Sequence, residues 1–510
     1  MSNRRPGFVF LFLAAIASVL LTLSWFFPKE GLGKEGFYQI KYPTIDRLLG
    51  NTEPKYKNIS KTIRLADSIA KAMLQDESVI EADDCDSITE PKKTKWVNVD
   101  SMRAAEDYLR PIEFKGDDPT SLYAFFDALD EVSFKKNKTH VFHYGDSQIE
   151  GDRMTSYIRD RLQKRFGGYA IGLLPASNMN LVKLLGHENS ESWQLYPAFF
   201  KKGDEGGSDN YGAMTSYSSY TPYPIDSSLS ERELTQAWVK YSTNKMNYYS
   251  SQKFKHIKVF HGPVYDTVKM TFPDMDTVYT DYLKGKKNLN VVRLDFNELR
   301  SEVELKFESK ISPQIYGISL EAPYGVQVSN IAMRGSSGTI FHKLNRALFS
   351  EMHKELNTSL IILQYGGNVM PYMKDSAQVE RYGRKFYNQI RVVQKAVPNA
   401  SIVLIGPSDM STKDGEFYVT YPMLEAVRDA LKQAAFKAGV GYWDMYEAMG
   451  GQNSMPSWVA ADPPLAGTDY THFTPRGARI ISEFFYKALI IEYDSYNNQK
   501  IKNESTSNIQ

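Results

Sequence analysis

The sequence holds a single cysteine, Cys85, among 510 residues. One thiol excludes an intramolecular disulfide and any cysteine-cluster metal site. A surplus of one charge is also missing: 61 Lys and Arg face 60 Asp and Glu, a formal net charge of +1. That balance excludes a protein built mainly to coat nucleic acid. Histidines are few, at eight, so one that stands beside an acid carries information. Apolar bulk is what the chain does have, with 42% hydrophobic and 13% aromatic residues. It excludes wholesale disorder and implies a sizeable buried core.

Long hydrophobic runs are absent but for one. Residues 8–27 (FVFLFLAAIASVLLTLSWFF) carry no charge and follow Arg4 and Arg5. About 20 apolar residues are enough for a helix to cross a bilayer core, and basic residues before them favour a cytoplasmic N-terminus. A cleavable signal peptide is the competing reading. The run exceeds the usual apolar length of about 7–15 residues, and no small-x-small site follows Phe27. The expectation is an uncleaved single-pass anchor (residues 1–27), with all that follows outside the cytoplasm, in the periplasm or at the cell exterior.

Residues 28–97 read as a membrane-proximal stalk, with helical spacing at 59–74 and a charged linker at 75–95 that contains Cys85. Residues 496–510 are polar and are expected to be disordered. In residues 98–183 and again in 325–495, short apolar runs alternate with helical patterns, the signature of an α/β domain with a mainly parallel sheet. Residues 184–324 differ. Alternating segments follow one another between turn residues, which predicts an inserted all-β sandwich. Its rings, among them Tyr211, Tyr217, Tyr220, Trp238 and Tyr241, suit sugar stacking but more simply fill a β core.

Four polar loops stand where chemistry gathers. Gly145-Asp146-Ser147 follows an apolar strand and precedes a helical pattern, a position at which ligands collect in open α/β sheets. Asp146 or Ser147 equally serves as a helix cap there. Gly335 lies after the strand-like 327–332, where a glycine lets the backbone N–H come close to a ligand. Gly366-Gly367-Asn368 ends the strand-like 360–364; the Asn amide suits an oxyanion donor, and the tripeptide also suits a plain turn. Asp469 and His472 lie three positions apart, on one side of a helical turn, as a base and its orienting carboxylate would.

In that order, the four blocks resemble those of the SGNH hydrolases, also called the GDSL esterase family. The family's third block usually continues with Asp or Glu, where this chain has Val369. Residues 145–175 and 443–458 further resemble bacterial peptidoglycan O-acetylesterases and related polysaccharide O-acetyl-modifying envelope proteins. The resemblance implies a flavodoxin-like three-layer α/β/α domain, interrupted here by a jelly-roll-like insert. It implies Ser147 as nucleophile, His472 as general base and Asp469 as its orienter. Ser147, Gly335 and Asn368 would form the oxyanion hole, and no metal or organic cofactor is required. The implied substrate is an O-acetylated envelope glycan, deacetylated through an acetyl-serine. An O-acetyltransferase using the same triad, with a membrane O-acyltransferase as its partner, is the alternative. A non-enzymatic glycan-binding protein is a third reading.

Overall fold

The computed structural model describes residues 5–26, 32–34, 38–40, 54–65, 67–68, 110–177, 185–199, 209–222, 232–243, 248, 251–274 and 277–507. Cys85 and most of the expected stalk lie outside them. The chain divides into two units, residues 1–56 with 413–419 and residues 57–412 with 420–510. In the first, helix α1 (Arg5–Phe26) includes a 20-residue stretch long and apolar enough to cross a membrane, and 6% of it is buried.

The second unit contains, in chain order, β1 (Ile112–Glu113), α2 (Tyr123–Lys135), β2 (Lys138–Gly145), α3 (Thr155–Phe166), β3 (Gly325–Ala332), α4 (Arg346–Glu355), β4 (Thr358–Gln364), α5 (Ser376–Ala396), β5 (Ser401–Ile405), α6 (Leu424–Ala438), β6 (Gly441–Trp443), α7 (Met445–Met449), α8 (Ser454–Val459) and α9 (Pro475–Ser507). These strands form one sheet in the order β3-β2-β4-β5-β6-β1, parallel except for β1. Helices cover both faces, so the strands read as unbroken apolar runs; every residue of β4 is buried. Phe142, Tyr144 and Leu363 point to one face and meet Phe349, Phe386 and Leu431 of α4, α5 and α6. Val141, Ile362 and Val403 point to the other and meet Phe126, Ile158 and Phe485 of α2, α3 and α9. Each such side chain contributes about 1.5–3 kcal/mol by leaving water. The result is three layers.

Helix α5 shows how the sequence writes a layer. Asp375 accepts a hydrogen bond from the Gln378 N–H at 2.8 Å and caps its start. Val379, Tyr382, Phe386, Ile390 and Val393 then fall on one buried face at three- and four-residue spacing.

Between α3 and β3 the chain builds antiparallel sheets. One runs Asn290–Arg300, Phe254–His261, Ile315–Glu321, Ser216–Ser219, Gln194–Pro197; the other runs Thr277–Leu283, Val268–Asp274, Glu302–Ser309, Thr235–Thr243, Leu185–Asn189. Alternation is strict in Glu302–Ser309, where Val303, Leu305 and Phe307 face a shared cluster with Val239, Ile257 and Ile318. Tyr211, Tyr217, Tyr220 and Tyr241 are buried, in keeping with core filling.

Two boundaries depart from expectation. Gly172–Leu174, expected within the α/β part, pairs antiparallel with Ile315–Glu321, so the antiparallel region starts before residue 184. Three residues are too few to show their partner in a pattern. The expected disordered tail is also helical as far as Ser507. Tertiary contacts hold this polar end to α2: Tyr493 donates to Asp130 at 2.7 Å, and Lys500 pairs with Asp130 at 3.1 Å.

Candidate active site

The five parallel strands, taken in chain order, lie as second-first-third-fourth-fifth. In that topology the chain leaves β2 and β4 in opposite directions, and a crevice opens at their carboxyl ends. The loops after β2, β3 and β4 carry Ser147, Gly335 and Asn368. Gly145 closes β2 where a side chain would be crowded: a Cβ there would lie 2.8 Å from Ile149 Cδ1 and 3.1 Å from the Gln364 carbonyl oxygen. Past it, Asp146 Oδ1 accepts the Gln148 N–H at 2.9 Å, bending the chain so that Ser147 stands at the apex. Ser147 does not start a long helix, as its sequence position implied. A three-residue 3-10 turn, Glu150–Asp152, intervenes before α3.

Asp469 and His472 arrive from the loop before α9. They meet in a turn rather than a helical one: Tyr470 is left-handed at φ 53°, and Asp469 Oδ1 accepts the N–H of Thr471 at 3.1 Å and of His472 at 3.0 Å. The other carboxylate oxygen, Oδ2, lies 2.7 Å from His472 Nδ1. His472 Nε2 lies 2.8 Å from Ser147 Oγ. The three side chains thus form one continuous chain of hydrogen bonds. Burial pushes the Asp469 carboxyl up, but the hydrogen bonds from the His472 ring and from two backbone N–H groups outweigh it and hold the group below its ordinary value.

The second carboxylate beside the serine behaves oppositely. Asp146 is 3% exposed, and burial pushes its carboxyl up to about 6 against the hydrogen bonds from Gln148 and Asn368. Asn368 Nδ2 donates to Asp146 Oδ2 at 2.9 Å and to the Ser336 carbonyl at 3.2 Å. Its neighbour Val369, where the resembled family carries an acid, turns into the core. Gly335 adopts φ 77°, a conformation that favours glycine, one residue from that Ser336 carbonyl. Its loop is tied back to β2 by the Met333 N–H, which donates to the Gly145 carbonyl at 2.8 Å.

Two residues escaped the sequence reading. Gln148 is buried, and its amide donates to the Thr471 carbonyl at 2.6 Å and to Ser408 Oγ at 3.0 Å, joining the serine loop to the histidine loop. Phe199, next to the strand Gln194–Pro197, reaches the Gly335 loop. Neither has a local signal, because each partner lies far away in sequence. Among the described residues no group of three or more His, Cys, Asp and Glu side chains is arranged to hold a metal ion. A cavity of about 470 Å³, lined by Ile112, Phe114, Ala488 and Ile491 among others, holds none of the residues of the triad; the triad lies instead at an open surface, with the Asp469 side chain 53% exposed.

Residues 312–480 match the model of the GDSL-like lipase/acylhydrolase family. The match takes in Gly335, Asn368, Asp469 and His472; Ser147 stands outside it, beyond most of the antiparallel strands. A search of curated proteins finds no match. Among solved structures, the chain is similar to a peptidoglycan O-acetylesterase, with 20% identity and a TM-score of 0.56 over 73% of this chain and 96% of that one. That likeness shows a shared fold. Fainter similarities include a family two carbohydrate esterase from Cellvibrio japonicus (9% identity, TM-score 0.23, 61% of this chain and 99% of that one). Another is an acetyl xylan esterase (13% identity, TM-score 0.25, 32% of this chain and 81% of that one).

Proposed function

We propose that this GDSL-type hydrolase removes O-acetyl groups from a cell-envelope glycan through an acetyl-serine intermediate. The observation that carries the proposal is the hydrogen-bonded chain from Ser147 Oγ through His472 to Asp469, at 2.8 and 2.7 Å. His472 Nε2 takes the hydroxyl proton as Ser147 Oγ attacks the ester carbonyl. Asp469 keeps the other ring nitrogen protonated and steadies the imidazolium. The carbonyl oxygen, now an anion, is met by the N–H groups of Ser147 and Gly335 and by the Asn368 amide. Asn368 gives up the longer of its two contacts, that to Ser336, while Asp146 keeps hold of the other N–H. Losing one such donor costs about 3–4 kcal/mol of transition-state stabilisation. His472 then hands its proton to the sugar oxygen, the C–O bond breaks, and acetyl stays on Ser147. Water, deprotonated by the same ring, releases acetate.

The fold shared with a peptidoglycan O-acetylesterase supports acetyl as the acyl group and a glycan as its carrier. Helix α1 supports a membrane anchor. With Arg4 and Arg5 on the cytoplasmic side, it would hold the catalytic domain outside the cytoplasm, where envelope glycans lie.

The test is hydrolysis of 4-nitrophenyl acetate by the full chain beside Ser147→Ala and His472→Ala. Both variants should lose nearly all activity; three equal rates would sink the triad. Mass spectrometry of products from an acetylated oligosaccharide and a sugar acceptor separates the two fates of the acetyl. Free acetate supports the esterase, and acetylated acceptor replaces it with a transferase.

A further inference from the structure

One buried carboxylate has no part in the chemistry above. Asp409 lies in the loop after β5 and is 0% exposed. Its hydrogen-bond partners are donors. Oδ1 accepts the Thr420 hydroxyl at 2.8 Å, and Oδ2 accepts the Met455 N–H at 2.7 Å and the Ser454 hydroxyl at 3.3 Å. The Thr420 oxygen in turn accepts the Asn453 N–H at 2.8 Å, just before α8. Burial pushes the Asp409 carboxyl up to about 6 against these bonds. An acid held there despite that cost serves as an acceptor on both oxygens, which an amide cannot do.

The segments that meet at Asp409 are those that carry the turn with His472. One is the loop of Asp409 itself. Two residues on, the Ser411 N–H donates to the Tyr470 carbonyl at 3.0 Å. One residue back, Ser408 Oγ accepts the Gln148 amide from the serine loop at 3.0 Å. The other segment is α8, which starts at Ser454 and Met455. Its Trp458 carbonyl accepts the N–H groups of Leu465 at 2.9 Å and Ala466 at 3.2 Å, and the Trp458 ring packs on Phe473 at 5.4 Å. Ala466 and Phe473 pair as an antiparallel bridge, and the Gly467 N–H donates to the His472 carbonyl at 2.8 Å, closing the turn. The turn thus rests on one support at Tyr470 and another at its base, and Asp409 ties the two together.

We propose that Asp409 is a positioning residue for His472, holding the loop after β5 and the start of α8 in the alignment that sets His472 Nε2 on Ser147 Oγ. This rests on the triad reading above. A misplacement of about 1 Å costs about 10²-fold in rate. Asp409 acts through the base and touches no substrate, so its loss falls on kcat and spares KM.

The test measures kcat and KM of the full chain and of Asp409→Asn on 4-nitrophenyl acetate. Reactive sites are counted by fluorophosphonate labelling run to completion, and folding is followed by thermal melting. Asp409→Asn should lower kcat per labelled site about 10–100-fold at unchanged KM. Thr420→Val and Ser454→Ala each remove one donor and leave the acid in place, and each should lower kcat by a smaller factor. An Asp409→Asn chain that melts lower yet keeps its kcat per labelled site would overturn the proposal, as would a raised KM with kcat held. If Asp409→Asn does not fold, wild-type kcat in both other variants overturns it. A wild type that cleaves the ester, with kcat unaltered in Asp409→Asn, defeats only this inference. A wild type that leaves the ester intact defeats the esterase reading as well.

Discussion

Two carboxylates flank Ser147, and the two sides of the site are built on opposite principles. On the histidine side, Asp469 is half-exposed, takes three N–H donors from its own turn, and is held below its ordinary pKa. On the side of the proposed oxyanion donors, Asp146 is buried, its donors include a side chain from a distant loop, and it is pushed up to about 6. The histidine side gains its charge from local hydrogen bonds and needs little from the fold. The oxyanion side holds a costly buried acid, and the whole sheet is needed to bring its parts together.

The sharpest way to break the contrast is to remove charge on each side in turn. Asp469→Asn should lower kcat about 10⁴-fold, because the imidazole loses both its tautomer and its counter-charge. Asn368→Ala should lower it about 10²–10³-fold. If Asp146 acts through Asn368, adding Asp146→Asn to Asn368→Ala should produce little further loss in a double-mutant cycle. Additive losses would separate the two residues.

The raised pKa of Asp146 makes a prediction about stability. The folded state binds this proton more tightly than the unfolded chain, so the stability contributed by the group is lost as pH rises from about 4 through 6. Urea melts should show the wild type losing about 2–2.5 kcal/mol relative to Asp146→Asn between pH 4 and pH 7.5. A pH-independent difference would mean that Asp146 titrates normally. The smallest effect is expected where the two sides are joined. Gln148→Met keeps length but removes both donors, and kcat should fall about ten-fold at unchanged KM as the histidine loop loosens. An altered KM with kcat intact would assign Gln148 to substrate binding.

How far the sequence could be read follows the same divide. Ser147, Asn368 and the Asp469–His472 pair were visible because each lies in a short polar block beside an apolar strand or a helical pattern. The strands β2, β4 and β5 and the helices α5 and α6 were visible in their periodicity. Asp146 could be read only as a cap, since its bond to Asn368 spans two loops. Gln148 and Phe199 carried no signal for the same reason. The strand Gly172–Leu174 was hidden by its length, and the end of α9 by its polar composition, which makes sense only beside α2, where Asp127 and Asp130 meet Lys500 and Tyr123 meets Gln499.

The order of the strands has a consequence for synthesis. Strand β2 is the first of the parallel strands to be made, yet its two neighbours, β3 and β4, begin only at residues 325 and 358. At roughly 5–20 residues per second, about 180 intervening residues hold this strand unpaired for some ten to forty seconds. The antiparallel region has a cluster of its own and can collapse during that interval. A nascent chain reaching residue 320 would carry the serine but neither oxyanion loop nor histidine. On the reading proposed above, Ser147 therefore has no base until the chain has been made past residue 472.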